Sequence, residues 1–308
     1  MTRTTTSTPP LKIDPAAAEP APVSRLHEYY ELCKPRVVML IVFTAIVGMF
    51  MAVPGLPPLA ALLWGTIGIS LQAASAAAVN QIIDREIDAR MKRTCGRPLV
   101  TGSLSLTHSI AFATAIGLAG FAVLWFLVNP LTAVLTQLTL VGYAGVYTLF
   151  LKRATPQNIV IGGASGAAPP VLGWAAVTGT IDPHALILFL IIFIWTPPHF
   201  WALAIERREE YAKVGVPMLP VTHGVEFTAT QVLLYTLLLI AVTILPFAVG
   251  MSGWPYLIAA LLLGGRFLQM AVQLKFAPRK GLPMKTFGYS IVYLMAIFTA
   301  LLVDHYLR

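Results

Sequence analysis

"LAALLWGTIGISLQAASAAAVNQIIDREIDARMKRTCGRP", residues 59–98, changes character halfway along. From Leu59 to Val79 there is no ionisable side chain, and a run of about 20 such residues, rising 1.5 Å each, crosses the roughly 30 Å of hydrocarbon in a bilayer. From Asn80 to Pro98 the chain then gathers Asp84, Glu86, Asp88, four arginines and Lys92. The stretch therefore reads as a membrane-spanning helix with a charged group of residues where it emerges.

The rest of the chain has the same grammar. Of 308 residues, 57% are hydrophobic and only 11% charged, with a mean hydropathy of +0.77. Soluble globular domains carry about a quarter charged residues, so an ordinary soluble fold is excluded. Windows of about 20 apolar residues give nine predicted helices, near 37–53, 59–80, 106–128, 131–150, 158–178, 184–204, 229–250, 254–274 and 285–304. The expectation is an all-α, polytopic membrane bundle over residues 31–308, preceded by a disordered cytoplasmic tail over 1–30. That tail is Thr-, Ala- and Pro-rich and lacks the apolar core of a signal peptide. The small residues of "GGASGAAPP", 162–170, predict close helix packing. Cys33 and Cys95 are too few and too far apart for a disulfide framework.

Nineteen of the 21 Lys and Arg fall in the N-terminal tail and the alternate connections after the second, fourth, sixth and eighth helices. The positive-inside rule makes that side cytoplasmic, with the N-terminus inside and the C-terminus outside. The formal net charge of +8 thus signals topology and not nucleic-acid binding. Arg266 stands apart, inside an otherwise apolar helix. A bacterial inner membrane is the expected location.

Asn80, Asp84 and Asp88 are spaced i, i+4, i+8, so a helix turns each only about 40° from the last and lines their oxygens along one face. Hard oxygen ligands in a row suit Mg²⁺, which takes a few carboxylates together with substrate phosphates. Like charges at i, i+4 are unfavourable without a counter-ion. A second acidic group, Glu206, Glu209 and Glu210, lies at the matching end of the sixth predicted helix, beside Arg207, Arg208 and Lys213. Two such groups facing each other across a cavity would bind a diphosphate through Mg²⁺, with cations neutralising the remainder.

"NQIIDREID" resembles the first aspartate-rich motif of the UbiA-type intramembrane prenyltransferases at Asn80, Asp84 and Asp88, departing from it at Gln81, where many members carry Asp. "ERREEYAKVG" resembles the second motif, with Glu in place of Asp. "ELCKPRVVML", "RTCGRPLVTG", "LKRATPQNIVIGGASGAAPPVLGW", "IWTPPHFWALAI" and "YAKVGVPMLPVTHG" are most similar to the heme-modifying branch of that family. The resemblance implies a UbiA-type fold and transfer of farnesyl from farnesyl diphosphate to a vinyl group of heme b, with water addition and diphosphate release. It implies Asn80, Asp84, Asp88, Glu206, Glu209 and Glu210 as Mg²⁺ ligands and Arg93, Arg97, Lys152 and Arg153 on the diphosphate, with Lys213 nearby. Heme A synthase or a terminal oxidase would be the partners that take the product. Tyr143, Tyr147 and Trp195 are candidates to shield an allylic cation with their π faces. His199, in "TPPHFWAL", is a candidate ligand of heme iron or contact of a propionate.

Two rival readings share some of these features. Prenyl transfer to an aromatic acid or quinone precursor would use the same acidic groups, and a cation transporter would use carboxylates as ion sites. Transport favours carboxylates at mid-membrane on broken helices, whereas these sit at helix ends among cations.

Overall fold

A computed structural model describes residues 24–308. Most of the expected tail, residues 1–23, lies outside the described residues. Its final part is structured: α1 (Arg25–Leu32) begins where the Ser24 hydroxyl accepts the His27 N–H. An N-cap with Glu28 in the first turn suffices to start a short helix there, so residues 25–30 are helical.

Among the described residues the elements are helical. They are α2 (Pro35–Met51), α3 (Leu59–Asp88), α4 (Leu106–Leu127), α5 (Pro130–Val141) with a π-helix over Gly142–Leu151, α6 (Asn158–Ala167), α7 (Pro169–Thr178), α8 (Pro183–Glu206), α9 (Arg208–Lys213), α10 (Gly224–Ala248), α11 (Trp254–Phe276) and α12 (Leu282–Leu307). The continuous rods Pro130–Ala154 and Asn158–Thr178 each make one crossing, so eight helices are long and apolar enough to span a membrane. The pair α1–α2, bent by 54°, makes nine if counted as one span.

Proline in the first turn starts α2, α5, α7, α8, α11 and α12, where its missing N–H is no loss. Inside α8, Pro197 and Pro198 remove two donors, yet the helix runs through them as one element.

With lipid outside, the bundle holds together by close packing and interhelical hydrogen bonds more than by hydrophobic contrast. Gln72 of α3 donates to Gly117 O of α4 at 3.1 Å, and Ser75 donates to Ala113 O at 2.8 Å. Between α2 and α7 the backbones touch. A Cβ on Gly173 would lie 1.9 Å from the Ala45 carbonyl oxygen, and one on Gly48 would lie 2.2 Å from that of Pro170.

Both ends of the bundle are tied. His305 and Tyr306 at the end of α12 reach the carbonyls of Val53 and Gly55 in the α2–α3 connection, each at 3.0 Å. At the opposite end, Gln81 of α3 donates to the Glu31 and Leu32 carbonyls at the close of α1. The close of α1 and the end of α12 thus lie at opposite ends of the bundle.

Gly173→Ala is expected to lower stability by about 1–3 kcal/mol through overpacking. Gly166→Ala, where an added Cβ meets nothing within 4 Å, should change it by no more than about 0.5 kcal/mol. Thermal unfolding in detergent, followed by circular dichroism, distinguishes the two.

Candidate active site

α3 does not stop where its apolar run ends; it continues for two more turns, to Asp88. That extension puts Asn80, Asp84 and Asp88 on one buried face, at 4%, 2% and 4% exposure. Two buried carboxylates require cations, and the fold delivers one to each from a separate segment. Lys152 Nζ lies 2.6 Å from Asp84 Oδ2, and Arg97 bonds Asp88 Oδ2. Lys34 donates to Asn80 Oδ1, and Asn80 Nδ2 donates to Asp84 Oδ2 at 3.0 Å. Three basic side chains thus converge on two carboxylates, and Asp84 Oδ1 is buried with no hydrogen-bond partner.

Lys34 counted in the sequence only toward topology. It is the one non-glycine among the described residues with positive φ, at 51°. The helical region is disfavoured before Pro35, and the left-handed turn lets α1 and α2 diverge while Lys34 reaches α3. A strained backbone held in place at a cluster of charges is a mark of a functional site.

The wall opposite α3 is the π-helix. Its wider, i→i+5 winding is rare in proteins and is frequently found at functional sites. Thr148 accepts from Asn80 Nδ2 at 3.1 Å and donates to Tyr143 O at 2.8 Å, which fixes this segment against the acidic face. Tyr143 and Tyr147 stack with ring centroids 5.5 Å apart. Gly162 makes room for Tyr147, since a Cβ there would lie 2.2 Å from the ring. Lys152 follows directly in the chain, whereas Arg153 is exposed.

The second acidic group is arranged differently from the regular column expected. The helix breaks at Arg207, so Glu206 ends α8 while Glu209 and Glu210 begin α9. Glu206 and Glu209 are exposed on an open cleft of about 470 Å³, and Lys213 is exposed nearby. Only Glu210 turns inward: Arg207 donates to its Oε1 at 2.7 Å, and its Oε2 is buried without a partner. Among the described residues no three His, Cys, Asp or Glu side chains are already assembled to hold a metal ion.

Tyr211, next to Glu210, is what joins the two segments. Its ring packs in one apolar cluster with Met91 just beyond α3, Ile159 of α6, Trp201 of α8, and Val216 and Met218. Burial pushes its phenol above the ordinary value, with the charge of Arg93 opposing and that of Glu210 adding; Asp84 also acts on it. Arg93 is exposed but sits within electrostatic reach of Tyr211.

His199 and Trp195 lie elsewhere. His199 is stacked between Trp195 and Phe287, at 4.2 and 4.5 Å, against α12. Trp195 Nε1 donates to Ser290 O at 2.8 Å, so this ring is held against α12, apart from the stacked pair of Tyr143 and Tyr147. Ser290 Oγ donates to Phe287 O at 2.6 Å, so it accepts from His199 Nδ1, also at 2.6 Å. That assigns the proton to Nδ1 and leaves the Nε2 lone pair free.

A hard divalent cation fits the first cluster on its donor set: the amide oxygen of Asn80 and two carboxylates, one with an orphaned oxygen. Lys34, Arg97 and Lys152 would then be free to bind anionic oxygens.

A model of the UbiA prenyltransferase family matches residues 41–301. A protein named protoheme IX farnesyltransferase, from Nitrosococcus oceani, is 63% identical over 280 residues, covering 91% of this chain and 94% of that one. Among solved structures, a digeranylgeranylglyceryl phosphate synthase superposes with a TM-score of 0.77 at 20% identity, over 92% of this chain and 99% of the other. A UbiA homologue from Archaeoglobus fulgidus bound to GPP and Mg²⁺ superposes with a TM-score of 0.60 at 17% identity, over 90% and 99%.

Lys152→Met strands the Asp84 carboxylate and is expected to cost about 3–5 kcal/mol of stability. Adding Asp84→Leu should restore most of that loss, because removing both charges leaves nothing unpaired. Denaturation of the single and double variants in detergent measures the coupling.

Proposed function

The chain belongs to the UbiA prenyltransferase family, and we propose that it is an integral membrane enzyme that transfers farnesyl from farnesyl diphosphate to a vinyl group of heme b, yielding heme O. The observation that carries a diphosphate-dependent transfer is the interlocked cluster of Asn80, Asp84 and Asp88 with Lys34, Arg97 and Lys152 at the mouth of an apolar bundle. The choice of heme as acceptor rests on the 63% identical relative of that name.

The reaction breaks the allylic C–O bond, whose electron pair leaves with the diphosphate. The vinyl π electrons then form the new C–C bond to the farnesyl carbon. Water adds to the resulting cation beside the macrocycle and releases a proton. Bound Mg²⁺ would hold the diphosphate and offset its developing charge; Asn80, Asp84, Asp88 and Glu210 are the residues to hold it, and its presence in the Archaeoglobus fulgidus homologue supports the reading.

This chain's cations change partners as substrate arrives. Lys152 and Arg97 give up Asp84 and Asp88 for diphosphate oxygens, and Lys34 gives up Asn80. Fixed cations then stand where negative charge develops on the leaving group, at little cost in reorganisation. Tyr143 and Tyr147 present stacked π faces on the same wall, suited to shielding the allylic cation. The apolar rods beyond them keep water from that cation and receive the farnesyl chain. His199, with Nε2 free, is the proposed contact of the heme iron. Arg93 stands beside the diphosphate at Tyr211, while Arg153, Lys213, Glu206 and Glu209 belong to the charged rim. The proposed location is a bacterial inner membrane with the active-site end and the N-terminus cytoplasmic, from which heme O passes to heme A synthase or a terminal oxidase.

Purified protein given heme b, farnesyl diphosphate and Mg²⁺ should yield a heme heavier by farnesyl and one water, resolved by chromatography and mass spectrometry. Asp84→Ala or EDTA should abolish it. Unchanged heme b, with an aromatic acid prenylated instead, would overturn the acceptor and keep the transferase. Variants should separate the two substrates: Lys34→Met is expected to lower kcat/KM for farnesyl diphosphate by about 10- to 100-fold, the value of one charge-assisted hydrogen bond. His199→Ala should instead raise KM for heme and shift its Soret band, leaving KM for farnesyl diphosphate in place.

A further inference from the structure

At the end of the bundle that carries Asp84, α11 and α12 meet around a cavity of about 370 Å³. Four cations line it, Arg266, Arg279, Lys280 and Lys285, and no carboxylate does. From Phe227 to Val303 the sequence contains neither Asp nor Glu. The nearest acid before that run, Glu226, bonds Lys275 at 3.1 Å, outside the cavity. Among the described residues the four cations have no ion-pair partner.

Topology accounts for three of them. Arg279, Lys280 and Lys285 belong to the connection between α11 and α12 and its first turn, where the positive-inside rule puts cations. Arg266 is different: it stands ten residues before the end of α11, about 15 Å down the helix at 1.5 Å per residue. A cation at that depth is costly without a partner, and the one Arg266 has is neutral: its guanidinium donates to Gln269 Oε1 at 2.5 Å, which leaves its charge uncompensated. Its side chain is exposed on the outer face of the helix and lines the same cavity as the three loop cations.

Below Arg266, at i−4 and i−8, the same face of α11 presents Leu262 and Ile258, 72% and 56% exposed. Cations above an apolar, lipid-facing track match a molecule with a phosphate at one end and hydrocarbon at the other. A free phosphate would match the cations alone. The uncapped N-terminus of α12 at Gly281, beside the lining residue Leu282, adds positive potential to the same cavity.

We propose that this cavity binds the headgroup of an anionic phospholipid, with Arg266, Arg279, Lys280 and Lys285 on its phosphate and an acyl chain along Leu262 and Ile258. The guanidinium of Arg266 forks onto phosphate oxygens, and the lysines act as point charges. Basic pockets of this kind between membrane helices suit anionic headgroups. The lipid would bridge α11 and α12 at the membrane surface.

The full-length protein in detergent would be titrated with phosphatidylglycerol, with phosphatidylcholine of the same chains, and with inorganic phosphate, and adducts counted by native mass spectrometry. Phosphatidylglycerol should bind at least about tenfold more tightly than phosphatidylcholine, and Arg266→Gln with Lys285→Gln should remove that preference, at about 1 kcal/mol per cation. A charge-matched control, Arg90→Gln with Lys92→Gln, should retain it. The Arg279→Gln with Lys280→Gln pair, in an exposed connection, gives the same reading if the first pair fails to fold. Equal binding of the two lipids, equal loss in the control, or displacement of phosphatidylglycerol by an equal concentration of inorganic phosphate would overturn the proposal.

Discussion

A carboxylate buried at the mouth of an apolar bundle has to bring a cation with it, and the pairing of Asp84 with Lys152 at 2.6 Å is the contact around which this end of the molecule is organised. Asp84 is there because α3 runs on past its apolar segment. Lys152 is there because a π-helix delivers it from the far side of the cleft. Arg97 reaches back to Asp88 from the connection after α3, and Lys34 comes from a left-handed turn between α1 and α2. Three stretches distant in sequence, together with the connection that directly follows α3, are thereby clasped by charges that none could bury alone.

The same pairing prepares the chemistry. A site made of carboxylates alone would repel a diphosphate, and one made of cations alone would hold product as firmly as substrate. With both interlocked, the proposed reaction would free the carboxylates for a metal at the moment it frees the cations for phosphate. The exchange replaces one set of charge-assisted hydrogen bonds by another, so binding need not leave a buried charge bare. In the proposed reaction the tyrosine pair would lie toward the carbon skeleton and the charged rim toward the leaving group.

Apolar packing sets the distance across the cleft. Tyr211, Met91 and Trp201 share one cluster, so the second acidic segment is brought to the first by a hydrophobic contact and its charges follow. The likeness in fold to solved structures at 17–20% identity fits this division, since helix spans and small-residue contacts tolerate wide substitution so long as their pattern is kept.

Hydropathy and the i, i+4 register are local properties, and for that reason the sequence by itself determined the helical bundle, its membrane spans and the acidic face of Asn80, Asp84 and Asp88. The family resemblance also made Lys152 and Arg97 candidates for the site. Tertiary structure decided which charges meet. Lys34 read as topology until a left-handed backbone carried it to Asn80. Gln81, in the middle of the acidic stretch, binds the carbonyls of Glu31 and Leu32, a task for an amide donor. Glu206 and Glu209 fit a helical register that the break at Arg207 interrupts, and His199 with Trp195 turned to α12. The physical reason is the same throughout: a helix fixes directions only along its own length, while the partner of a buried charge comes from whatever distant segment packing brings within reach.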